Sequence, residues 1–158
     1  MERKKTADEG YPVYLFFEGN NFEAQKFFGA HLLKRGGEEG VMFRLWAPHA
    51  RAVSVVGDFN SWLPGSHPME KVDEKGIWEL FVAGLKEYDV YKYCVITSDD
   101  RQVYKADPYA FHTETRPSNG SKVYQLEGYE WNDEAWMRAH KKADPINTAM
   151  NIYEMHMG

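Results

Sequence analysis

Residues 41–65 constrain this chain more than any other stretch. Val41, Phe43 and Leu45 alternate with Met42, Arg44 and Trp46, the two-residue period of a strand. Pro48 stops that run, because it has no N–H to give to a ladder. Ala52 to Val56 is a second short run rich in β-branched residues, closed by Gly57-Asp58. Phe59-Asn60-Ser61-Trp62-Leu63-Pro64-Gly65 then sets a large aromatic among turn residues. A Trp in such a loop either folds back onto a core or offers a flat platform to a ligand, and the residues alone leave both readings open.

The rest of the chain repeats the pattern. Strands are expected at Leu32-Leu33, Met69 to Val72, Ile77 to Val82, Val90 to Thr97, Gln102 to Tyr104 and Lys122 to Leu126. In the fourth of these, Tyr91, Tyr93 and Val95 share one face, and Lys92, Cys94 and Ile96 the other. Short strands at close spacing with turn signals between them argue for a β-sandwich. Two helices are expected. One runs from Asn20 to Phe28, with Asn20 as N-cap, Gly29 at C′, and Phe22, Phe27 and Phe28 packing its apolar side. The other is capped by Asn132-Asp133 and runs to about Lys142, with Trp136, Ala139 and His140 as its stripe. Met1 to Gly10 reads as a frayed tail, and Tyr11 to Phe17 as an apolar run pairing with a sheet or packing on a neighbouring domain. Asp107-Pro108 makes the Lys105 to Phe111 segment irregular. Met150 to Met157 alternates like a strand.

Composition narrows the function classes. A net charge of −5 gives no electrostatic support to nucleic-acid binding, whereas a neutral polysaccharide needs no basic surface. No apolar run approaches the roughly 20 residues of a membrane span. The charged N-terminus has no apolar signal-peptide core, so a cytoplasmic location is expected. The single cysteine, Cys94, excludes an internal disulfide framework and reads as a small packed hydrophobe. The six His show no metal-ligand spacing, and no phosphate-binding glycine loop is present, so neither metal nor cofactor is expected.

Trp46-Ala47-Pro48-His49-Ala50 followed by Val53-Ser54-Val55-Val56-Gly57-Asp58-Phe59-Asn60-Ser61-Trp62 resembles the paired motifs of carbohydrate-binding module family 48. Gly29-Ala30-His31 fits the same resemblance, with His31 read as structural. Lys105 to Ala110, Arg116-Pro117 with Ser121, and Trp131 to Trp136 resemble segments of bacterial-type 1,4-α-glucan branching enzymes. Ile152-Tyr153-Glu154-Met155-His156-Met157-Gly158 resembles the first barrel strand of glycoside hydrolase family 13. The resemblance implies a mainly β fold: an immunoglobulin-like (E-set type) β-sandwich with a short N-terminal helix and a C-terminal linker helix leading into a truncated (β/α)8 barrel. It implies a tail at 1–19, the carbohydrate-binding sandwich at 20–127, the linker helix at 128–149 and the barrel start at 150–158.

The same resemblance implies the front part of a longer enzyme that cleaves α-1,4 links and makes α-1,6 branches. Its partners would be glycogen or linear α-1,4-glucan and the absent catalytic barrel. Retaining chemistry needs two carboxylates about 5 Å apart; the family carries them on later barrel strands, so no catalytic residue is assigned and the chain alone is expected to be inactive. Trp62 is the expected stacking platform and Lys92, in Tyr91-Lys92-Tyr93, the expected donor to glucan hydroxyls, with Asn60 and Asn119 as weaker candidates. Solvated charge is the competing reading of Lys92, and a turn role that of both asparagines. The second Trp of glucan-binding regulatory members is absent, Arg101-Gln102-Val103-Tyr104 standing in its place. The alternatives are a free-standing glycogen-binding regulatory module, or the front end of a debranching enzyme or trehalohydrolase.

Overall fold

In the computed structural model, which describes residues 7–144 and 146–158, nine strands and two helices follow one another along the chain. They are α1 (Ala7–Phe17), β1 (Gly29–Arg35), β2 (Glu38–Trp46), β3 (Ala52–Gly57), β4 (Glu70–Lys71), β5 (Ile77–Ala83), β6 (Val90–Ile96), β7 (Gln102–Lys105), β8 (His112–Thr113), β9 (Ser121–Lys122) and α2 (Glu134–Lys142). Two compact units result, the first ending at Leu126 and the second spanning Glu127–Gly158.

The first unit is the expected immunoglobulin-like sandwich. One antiparallel sheet runs β1-β2-β5-β4, and the other runs β3-β6-β9-β8 with β7 also paired to β6. The inward face of β2 supplies Val41, Phe43 and Leu45, and that of β5 supplies Trp78 and Val82. Val53 and Val55 of β3 and Tyr91 and Tyr93 of β6 meet them from the other sheet. The two-residue alternation sets which side chains enter this core, and a slip of either strand by one residue would take Phe43 or Tyr93 out of it.

The opposite face of the first sheet carries a second apolar cluster. Ala24, Phe27, Phe28 and Ile77 form it, with Val13, Phe16 and Phe17 of α1 packed against them. Phe16 meets Trp46 edge-on at 5.3 Å between ring centres. Directly across the β2–β5 ladder, Arg44 Nε donates to Glu79 Oε1 at 2.9 Å, and the guanidinium lies 4.5 Å from the Phe27 ring.

Four expectations differ from what is observed. The described part of the N-terminal stretch is helix from Ala7 rather than tail and extended run, with Pro12 inside the helix. The helix expected over Asn20 to Phe28 is a single 3₁₀ turn at Ala24–Lys26. Asn21, not Asn20, organises the approach: its Oδ1 accepts from Glu23 N and its Nδ2 donates to Pro12 O, and Phe22 is exposed. The last sandwich strand is short, Ser121–Lys122, and pairs with a β8 that the sequence did not suggest. Residues 150–157 form no strand, since a strand needs a neighbour for its N–H and C=O groups and the described residues offer this segment none.

In the second unit, α2 begins after Asp133, which caps it with backbone rather than side chain. Trp136 and His140 stack at 4.8 Å and 7° on its surface, and Glu134 pairs with Arg138 one turn on. Trp136 remains exposed.

Candidate functional site

The loop after β3 is tied down by one side chain. Asn60 Oδ1 accepts from Gly57 N at 2.9 Å, and Asn60 Nδ2 contacts Val55 O and His67 Nδ1, each at 2.9 Å. Those bonds fold residues 58–60 into a 3₁₀ turn and carry the chain back over the strand. Gly57 is required by close approach, because a Cβ there would sit 2.2 Å from Val90 O. Ser61 and Trp62 then both take left-handed backbone, φ 53° and 59°, a conformation that costs a residue with a side chain about 1 kcal/mol or more. Trp62 N donates to Gly57 O, and its indole Nε1 donates to Asp58 Oδ1 at 2.8 Å. The ring is half-buried and held at its N–H edge.

Lys92 lies on the outer face of the second sheet, between two tyrosines that point inward. Its Nζ donates to Asn119 Oδ1. The register puts Lys92 opposite Val56, beside the Gly57 that anchors Trp62. Asn119 arrives through the β8–β9 hairpin, which is closed by Gly120 N donating to Glu114 Oε2 at 2.8 Å and Glu114 N to Gly120 O at 2.9 Å. Gly120 must be glycine for this approach, since a Cβ would lie 2.6 Å from Val90 Cγ1. Of the four residues singled out by sequence, Lys92 and Asn119 are therefore in contact, and Trp62 is anchored one strand away. Asn60 is instead the staple of the Trp62 loop.

Asp107 is the residue that sequence reasoning missed. It is buried, and its Oδ2 accepts from Tyr91 Oη at 2.6 Å and from Tyr93 Oη at 3.0 Å. Oδ1 takes Tyr109 N at 2.8 Å, and Asp107 N donates to Ser121 Oγ at 2.8 Å. Burial raises the Asp107 pKa above the usual carboxylate range, against the lowering effect of its hydrogen bonds from Tyr91, Tyr109 N and Tyr93. Burial, with the facing carboxylate, pushes both tyrosine hydroxyls far up as well. Asp107 thereby locks the segment after β7 onto the strand that carries Lys92. A signal did exist: two tyrosines at one inward spacing bring two hydroxyls into a core, and each needs an acceptor.

The described residues hold no group of three or more His, Cys, Asp or Glu able to bind a metal. Cys94 is buried, and burial raises its thiol pKa. No described helix is long and apolar enough to cross a membrane.

An aromatic on a stapled loop and a lysine–asparagine pair are thus held close together at the second sheet of the sandwich. Residues 27–110, more than half the chain, match carbohydrate-binding module 48 (isoamylase N-terminal domain), and the chain belongs to that family.

Within it, the chain is 47% identical over 146 residues to the 1,4-alpha-glucan branching enzyme GlgB of Bacillus caldolyticus, covering 92% of this chain and 22% of that one. It is 46% identical over 146 residues to GlgB of Desulfitobacterium hafniense, covering 92% and 23%. The chain thus spans about a fifth of the length of these relatives. Ligand-free PulA of Klebsiella pneumoniae shares the fold, with a TM-score of 0.51 and 29% identity over 64% of this chain and 10% of that one.

Proposed function

We propose that the chain is the N-terminal module of a 1,4-α-glucan branching enzyme and that it holds α-glucan on the outer face of its second sheet. The contact of Lys92 with Asn119 beside the Trp62 loop carries this reading. A pyranose offers a face of C–H groups, which packs on an indole, and a rim of hydroxyls. Lys92 donates from its ammonium, and the Asn119 amide N–H groups point another pair of donors at the same rim. Asn60 acts by holding the platform. The similarity to branching enzymes over nearly the whole chain supports the assignment of the parent, whose work is the cleavage of α-1,4 links and transfer to a 6-hydroxyl in the cytoplasm. The two carboxylates of that reaction belong to the barrel that residues 150–158 begin, and residues 128–149 are its connection to the sandwich.

Affinity electrophoresis of the chain in gels with and without glycogen tests this. Retardation by glycogen that is lost in Trp62→Ala and in Lys92→Ala is the expected result. Equal mobility of the parent in both gels would show that the module serves only as a packing partner of the catalytic domain.

A further inference from the structure

A second aromatic group stands on the same sheet face, four residues before Lys92. Tyr88 has left-handed backbone, φ 70°, and is 55% exposed. Its ring lies 5.7 Å from that of Tyr124 and 5.8 Å from that of His112, and those two rings are 5.4 Å apart. Of the four non-glycine residues with positive φ among the described residues, the two aromatic ones are Trp62 and Tyr88. Glycine would hold either backbone without strain, so at Tyr88 conformational cost is borne in order to keep a ring in water. Nothing in the core explains it, because the core contact of this turn is made by Val123 and Leu85.

The ladder fixes where this group sits. Tyr88 N donates to Val123 O and Val123 N to Asp89 O, which extends the β6–β9 pairing beyond Val90 and Lys122. Val123 is fully buried, so Tyr124 takes the opposite, outer side, as Lys92 does. His112 is opposite Lys122 and shares that side. Its Nδ1 lies 2.9 Å from Thr113 O; the donation this requires leaves Nε2 as an acceptor in the neutral ring. Tyr124 raises the pKa of the Tyr88 hydroxyl above its ordinary value, in keeping with two phenols that face each other. Four residues of strand span roughly 13 Å. The face from Lys92 and Asn119 to Tyr88 therefore combines ring faces with hydrogen-bonding groups, the Glu114 carboxylate at Gly120 among them, over a length greater than one sugar ring.

We infer that Tyr88, Tyr124 and His112 form a second stacking site for α-glucan, continuous with Lys92 and Asn119, so that one linear chain engages both. This rests on the function proposed above. A polyhydroxylated chain fits because the group offers ring faces and neutral donors and acceptors but no bound counter-charge, and because the family is one of carbohydrate-binding modules.

The test titrates the 158-residue chain with maltotriose and with maltoheptaose, following tryptophan fluorescence and heat. Tyr88→Gly is the informative variant: it removes the ring and relieves the left-handed backbone, which offsets the added freedom of the unfolded chain, and urea unfolding checks that it is folded. Tyr88→Gly and Tyr124→Ala are each expected to weaken maltoheptaose at least fivefold and to leave maltotriose within twofold, while Tyr88→Phe keeps most of the binding. Lys92→Ala is expected to weaken both sugars. Unchanged maltoheptaose affinity in Tyr88→Gly, with loss in Lys92→Ala, would overturn the second site and leave the first standing. Loss in Tyr88→Gly with Lys92→Ala and Trp62→Ala silent would overturn the first site, and the continuous track with it. Absence of binding by the parent would overturn both.

Discussion

Replacing Asp107 with Ala should be among the most damaging single changes in the sandwich. Two hydroxyls, those of Tyr91 and Tyr93, lose their acceptor inside a core where both residues are fully buried. An orphaned buried donor costs about 1–3 kcal/mol. Part of that is offset, because the carboxylate is itself held in a site that disfavours its charge. The expected net loss is about 2–5 kcal/mol, which for a domain of this size lowers Tm by roughly 5–15 °C. Asp107→Asn keeps an acceptor for Tyr109 N and lets the tyrosine hydroxyls turn to accept from the amide, so it should cost about half as much. The pH dependence has a definite sign. A carboxyl whose folded pKa is raised contributes stability that is present below its unfolded value, about 3.9, and lost as pH rises through the folded value. The parent should therefore gain on Asp107→Asn as pH falls from 7 towards 4. Urea unfolding followed by tryptophan fluorescence, at a series of pH values, measures both quantities. A loss below about 1 kcal/mol in Asp107→Ala, or a parent-to-Asn difference that grows with pH, would refute the reasoning.

Asn60→Ala removes three hydrogen bonds of the Trp62 loop at about 0.5–1.5 kcal/mol each. It should destabilise the chain by roughly 1.5–4.5 kcal/mol and change the Trp62 fluorescence, whereas an Asn60 serving only as a ligand to sugar would leave thermal stability unmoved. Gly57→Ala drives a Cβ to 2.2 Å from Val90 O, and by overpacking should cost about 1–3 kcal/mol in the same urea titration even though its backbone is extended.

The sheets were legible where one physical signal dominated. Val41, Phe43 and Leu45 recur at every second residue, and β2 and β5 fall within a few residues of the expected runs because the face between the sheets takes its large apolar side chains at that period. α1 was not legible: Gly10 and Pro12 are helix breakers by propensity, and its helix is held by packing of Val13, Phe16 and Phe17 on Phe28 and Ile77 rather than by local preference. Phe22 misled in the opposite direction, since an apolar residue near a cap looks like core and here meets water.

The site divides along the same line. Trp62 and Lys92 stand out in the sequence because each lies inside a contiguous motif, but what holds the Tyr91-Lys92-Tyr93 strand and meets Lys92 was not visible, because it comes from far along the chain. Asp107 lies 14 and 16 residues from the tyrosines it bonds, and Asn119 lies 27 from Lys92. Both links run through the irregular segments around Lys105 to Ala110 and Arg116 to Ser121, whose apparent lack of pattern conceals their role. They have no period because each makes one specific buried or surface contact instead of paving a face. The segments that resemble branching enzymes in particular, rather than the wider module family, are thus those that brace β6 and bring Asn119 to it. Without them Trp62 would remain and Lys92 would lose its Asn119 partner, which ties the character of this face to loops rather than to the strands that make the fold.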